Sequence, residues 1–90
     1  MNFAALVAAE LHKARTKHPT TYPSAHYFYG VIAEEVDEFW DLVKAQKPSN
    51  EDMLKELVQI AAMAQRAAED IGLIQKTPTP VQDLPSEVYH

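Results

Sequence analysis

With 90 residues and 10.1 kDa, 47% apolar and 23% charged residues, thirteen alanines and only two glycines, the chain reads as one small helix-rich domain. That is too short for a barrel or a doubly wound sheet and too apolar for a disordered segment. The absence of cysteine excludes disulfide scaffolds, thiolate zinc sites and cysteine nucleophiles, and thirteen acids against eight bases, a formal charge of −5, argue against nucleic-acid or membrane partners.

The first predicted helix runs from Phe3 to about Lys17, with Phe3, Leu6, Val7, Leu11 and Ala14 on an apolar face and Glu10, Lys13 and Lys17 turned mostly away. Its apolar stretch precedes the basic residues instead of following them, and no run reaches the roughly 18 residues of a membrane span, so a cytoplasmic location is expected. Pro19 and Pro23 enforce a loop. Ser24 caps a second helix that extends to about Ala45, ahead of Pro48, and Ser49 with Asp52 caps a third that ends at Ile71 with Gly72 as its stop. The second and third helices form a hairpin. Beyond a helical domain at residues 1–74, Pro78, Pro80 and Pro85 make residues 75–90 an extended tail.

The expected fold is therefore all-α, three helices with a hairpin at the core. Ile32, Val36, Phe39 and Val43 form one apolar stripe, and Leu57, Ile60, Ala61, Ala64, Ala68 and Ile71 form another. These stripes are expected to pair within the hairpin. About 70 ordered residues make a marginal core, and oligomerisation into a four-helix bundle, as a homodimer or a dimer of dimers, is the simple remedy.

Residues 34–41 contain five carboxylates, Glu34, Glu35, Asp37, Glu38 and Asp41, with no basic residue among them. Glu35 and Glu38 project from one face of the second helix. In an antiparallel hairpin Glu38 and Glu56 stand at similar heights above the turn near Pro48, so Glu35, Glu38 and Glu56 can converge on one ion. Oxygen ligands alone favour Mg²⁺ or Mn²⁺ over zinc, and Mg²⁺ recruits phosphates. A plain bundle with a solvated acidic face is the competing reading. A di-iron bundle is excluded because neither helix places a histidine three residues after a glutamate.

The pattern Glu34-Glu35-x-x-Glu38, followed by Glu56-Leu57-Val58-Gln59, resembles the E-E-x-x-E and E-x-x-D signature of the MazG-like all-α nucleoside triphosphate pyrophosphohydrolases. The runs at residues 26–40 and 59–66 look like their short single-domain members, and the likeness covers about residues 3 to 72. It implies Mg²⁺-dependent hydrolysis of (deoxy)nucleoside triphosphates to monophosphate and pyrophosphate. Glu35, Glu38 and Glu56 would hold the metal, and Glu34 would bind a second ion or orient water. Gln59 stands where the family usually has aspartate; as a metal ligand its amide oxygen can still hold Mg²⁺, but it removes one negative charge. Asp70, about three turns along the same face, either compensates at a second ion or lies too far away. A family acting on phosphoribosyl-ATP fits less well, because its aspartate followed by tyrosine and histidine is missing from the third helix. A non-catalytic nucleotide- or metal-binding module of the same fold is the alternative.

Several other side chains have two readings each. Arg66 contacts phosphates or pairs with Glu69 or Asp70, and Lys55 contacts phosphates or is solvated. Lys13 and Lys17, in the basic stretch with His12, Arg15 and His18, draw in a triphosphate or complement a helix end. Trp40, Tyr27, Phe28 and Tyr29 stack on a base or pack in a core or interface. Gly30 inside a helix points to close packing or ligand approach.

Overall fold

The computed structural model describes residues 2–76, so most of the predicted tail lies outside the described residues. Three helices follow in order, α1 (Phe3–Lys17), α2 (Ala25–Lys44) and α3 (Asn50–Ile71), with no strand among the described residues. Local chemistry sets their ends. Asn2 Oδ1 accepts the Ala5 amide at 2.8 Å, Ser24 Oγ accepts that of Tyr27 at 3.1 Å, and Ser49 Oγ accepts that of Asp52 at 3.1 Å. α3 stops at Gly72, whose φ of +90° is open to glycine, while the Gly72 and Leu73 amides donate to the Glu69 and Ala68 carbonyls at 3.1 and 2.8 Å. No helix among the described residues is long and apolar enough to cross a membrane.

α3 is the central element. α1 and α2 each pack against it and not against each other. The core joins Val7 and Leu11 of α1 to Val58 and the fully buried Ala62 of α3, with Leu6, Ala61 and Met63 packed around them. Alanine at position 62 lets the helix backbones come close.

The buried face of α3 differs from the expected stripe. Val58, Ala62, Arg66 and Glu69 are buried, whereas Leu57 is 40% exposed and Ala64 is also exposed. The cause is a set of ion pairs that makes the polar ridge of α3 buriable. Arg15 of α1 meets Glu69 Oε1 at 2.8 Å and Asp70 Oδ1 at 3.0 Å, and Arg66 Nε meets Asp70 Oδ2 at 3.5 Å. Arg66 also donates to three carbonyls, Ala14 at 3.4 Å, Thr20 at 3.0 Å and His18. The Tyr22 amide donates to Asp70 Oδ2 at 3.4 Å. Two arginines and two carboxylates thus strap the end of α1 and the prolyl loop onto α3.

On α2 only Phe28 is buried, and the predicted stripe stays largely open, with Val36 at 46% and Val43 at 40% exposure. Positions 29, 33, 36, 40 and 43 of α2, and 57, 61, 64, 68 and 71 of α3, repeat at alternating steps of four and three. Both rows are exposed or only half-buried in the single chain. A methyl group added at Gly30 would meet nothing within 4 Å, so the close approach expected there does not occur within the chain.

Candidate functional site

The link at residues 45–49 turns the chain so that α3 packs back along α2. Glu35 and Glu38, about one turn apart on α2, then meet Glu56 from the second turn of α3. One carboxylate oxygen from each of the three lies within 4.8 Å of the others. Glu35 and Glu56 are half-buried, Glu38 is exposed, and Glu56 Oε1 is buried with no hydrogen-bond partner. Burial, helped by a hydrogen bond with Glu56 and by the negative charges of Glu38 and Glu56, raises the Glu35 carboxyl from 4.5 to about 7. Crowded oxygen donors, an orphaned acceptor and a carboxyl that resists ionisation fit a hard divalent cation, which would satisfy all three.

The direction of that shift sets a pH dependence. Glu35 binds its proton more tightly folded than unfolded, so its contribution to stability is full below about 4.5 and is lost as the pH rises through about 7. A cation competes with the proton, so its effect grows in the opposite sense. Thermal melts in EDTA are expected to show Tm falling over this interval, and a Mg²⁺-induced rise in Tm appearing as the pH approaches and passes 7. Glu35→Gln should lose that part of the EDTA slope. A slope identical to wild type would show that Glu35 is not the titrating group.

A cleft of about 690 Å³ opens between α1 and α2 above α3, and Glu35 lines it together with Lys13, Lys17 and Gln59. At one end Tyr22 stacks on Tyr27, ring centres 4.5 Å apart, and Tyr27 meets Phe28 edge-on at 5.1 Å. A second pocket of about 300 Å³ is lined by Glu38, Asp41, Lys55 and Glu56. The carboxylate cluster therefore borders both.

The predicted site residues separate into those that join these features and those that do not. Glu35, Glu38 and Glu56 come together, Lys13 and Lys17 line the larger cleft, and Lys55 lines the smaller pocket. Asp70, expected as a further ligand, stands instead away from the cluster, its Oδ2 accepting from the Tyr22 amide and Arg66 and its Oδ1, which has no hydrogen-bond partner, ion-paired with Arg15 and Lys76. Arg66 lines the cleft, but each of its three nitrogens already holds a protein acceptor, so it braces the loop. Glu34 is exposed and outside the cluster, and Trp40 lines neither pocket, its ring lying 5.6 Å from the Lys44 ammonium. Gln59 lines the cleft with its Nε2 donating to Glu10 Oε2 at 2.8 Å. Glu10 and Tyr22 are the cleft residues that sequence reasoning missed. For Glu10 a signal existed, since it shares the register of Lys13 and Lys17 at steps of three and four.

Set against protein-family models, curated proteins and solved structures, the chain matches none.

Proposed function

We propose that this chain is a Mg²⁺-dependent nucleoside triphosphate pyrophosphohydrolase of the MazG-like kind, converting (deoxy)nucleoside triphosphates to monophosphate and pyrophosphate in a cytoplasmic setting. The observation that carries this reading is the convergence of Glu35, Glu38 and Glu56 at the border of a cleft that Glu35 lines together with Lys13 and Lys17. Those three carboxylates would hold Mg²⁺, or Mn²⁺ in its place. Held there, such an ion would supply charge neutralisation for phosphate oxygens and a lowered pKa for water.

The chain's own side chains do the positioning. Lys13 and Lys17, one turn apart on α1, offer cations to phosphate oxygens along the cleft. Tyr22, Tyr27 and Phe28 offer an aromatic wall against which a base can stack. Arg66 and Asp70 hold the loop that carries Tyr22, which keeps that wall in place. No covalent nucleophile is required.

The test is pyrophosphate release from a panel of ribo- and deoxyribonucleoside triphosphates with Mg²⁺, Mn²⁺ or EDTA. Metal-dependent release is expected, with one base preferred; no release from any member sinks the enzymatic reading. The second reading, a non-catalytic nucleotide- or metal-binding module, draws support from Gln59 being engaged by Glu10. It predicts a Mg²⁺-raised Tm without release.

The partly open apolar rows support assembly into a four-helix bundle from two chains, because each row has the spacing of a helix-packing seam and is only partly covered in one chain. Val36→Glu places a charge in the middle of the α2 row. Light scattering is expected to show the variant at the 10.1 kDa mass of one chain while wild type runs at a multiple of it. A wild type of single-chain mass would remove the bundle.

A further inference from the structure

The cleft has two walls that do not touch. α1 supplies Lys13 and Lys17, α2 supplies Phe28, Val31 and Glu35, and α3 lies beneath both with Met63 in the floor. Each wall helix packs on α3 and neither packs on the other, which leaves about 690 Å³ between them. The walls also differ in charge. Lys13 and Lys17 are exposed and take part in no ion pair among the described residues, while Glu35 on the other wall belongs to the carboxylate cluster.

The α1 wall is fixed at one end only. There Arg15 pairs with Glu69 and Asp70, and Arg66 donates to the Ala14 and His18 carbonyls. Ahead of that point α1 rests on α3 through Leu6, Val7 and Leu11 against Val58 and Ala62, with one hydrogen bond from Gln59 to Glu10 between the helices. Its first turn buries no side chain, Phe3 being 46% exposed. A helix tied at one end and seated on small apolar residues slides by small amounts on its neighbour without breaking the tie.

We propose that α1 shifts toward α2 when a metal-bound phosphate chain fills the cleft, so that the two walls close on it. The inference rests on the metal-dependent reading above. A ligand moves a conformational equilibrium only through contacts that differ between the two states. Here the differing contacts are those of Lys13 and Lys17. With the ion held by Glu35, Glu38 and Glu56, phosphate oxygens between the walls bring the two ammonium groups the counter-charge that the described side chains do not supply, and the attraction grows as α1 comes nearer.

The chain has no cysteine, so two can be introduced as the sole labelling sites. Residues 9 on α1 and 37 on α2 are exposed and line neither pocket. Nitroxide labels on the Ala9→Cys, Asp37→Cys protein, diluted with unlabelled chain so that assembly adds no second pair, report the distance between α1 and α2 by double electron–electron resonance. The probe is Mg²⁺ with a panel of nucleoside triphosphates whose oxygen between the α and β phosphorus is replaced by methylene, and calorimetry on the same samples reports binding. The distance is expected to shorten by about 2 Å or more with Mg²⁺ and a bound analogue, and to stay unchanged with Mg²⁺ alone. Lys13→Gln combined with Lys17→Gln, which leaves the ion pairs and the core intact, should melt near the wild-type Tm and keep the longer distance with the same probe. Binding with an unchanged distance overturns the closure and leaves the hydrolase reading standing. Shortening with Mg²⁺ alone, or full shortening in the double lysine variant, overturns the part given to the phosphates and lysines. Binding of no analogue overturns both the closure and the hydrolase reading, whereas closure without pyrophosphate release from the natural triphosphates overturns the hydrolase reading alone.

Discussion

Glu38→Gln is expected to lower Mg²⁺-dependent pyrophosphate release by at least about a hundredfold, because a metal site supplies several kcal/mol of transition-state charge stabilisation and each 1.36 kcal/mol is a factor of ten. The same change is expected to leave the fold intact and to raise the metal-free Tm. The charge of Glu38 is among the causes that push Glu35 up to about 7, so removing it eases the ionisation of Glu35. Activity and stability then move in opposite directions, a signature that simple misfolding does not give. Release from Glu38→Gln within about threefold of wild type, a difference of well under 1 kcal/mol, would show that the cluster does not hold the catalytic ion.

The second large effect lies away from the carboxylates. Arg66→Ala is expected to cost about 3–5 kcal/mol of folding stability, since it leaves Asp70 buried with a partner removed and takes the guanidinium from the His18 and Thr20 carbonyls and from that of Ala14, which keeps the His18 amide. For a domain of this size that corresponds to a fall in Tm of roughly 15 °C or more. Arg66→Lys should recover little, because an ammonium cannot span Asp70 and the carbonyls of residues 14, 18 and 20 together. Denaturant unfolding of the two variants checks this. A well-folded Arg66→Ala protein that loses less than about 1 kcal/mol of stability while its nucleotide KM rises tenfold would return Arg66 to phosphate contact.

How far the sequence could be read depended on whether a feature has a local cause. Helix limits do: Ser24 and Ser49 cap, Pro19 and Pro23 forbid continuation, and Gly72 takes the left-handed turn, so the three helices were legible to within a residue or so. The meeting of Glu35, Glu38 and Glu56 was also legible, since a short link between two helices fixes their relative height. The buried face of α3 was not. Its hydrophobic row at 57, 61, 64, 68 and 71 outcompetes Arg66, Glu69 and Asp70 on any scale of polarity, and burying those carboxylates takes Arg15, more than fifty residues away, beside the local Arg66. The same long reach hid the pairing of Glu10 with Gln59, 49 residues distant. The α2 stripe at Val36 and Val43 follows a further limit: an apolar row announces that it needs cover, without saying whether its own chain supplies it.

Because α1 and α2 touch α3 but not each other, the molecule is built like a clothes-peg hinged on one rod. The arm formed by α1 is clipped near its C-terminal end by the Arg15 ion pairs and the Arg66 hydrogen bonds, and along its length by Leu6, Val7 and Leu11 packed on Val58 and Ala62. Glu35, Glu38 and Glu56 all stand on the α2–α3 hairpin, so none of the three is carried by that arm. Access to the cleft is thereby uncoupled from the register of the acidic side chains. Amide exchange should report this as two tiers, with α1 losing protection at a lower opening energy than the facing turns of α2 and α3.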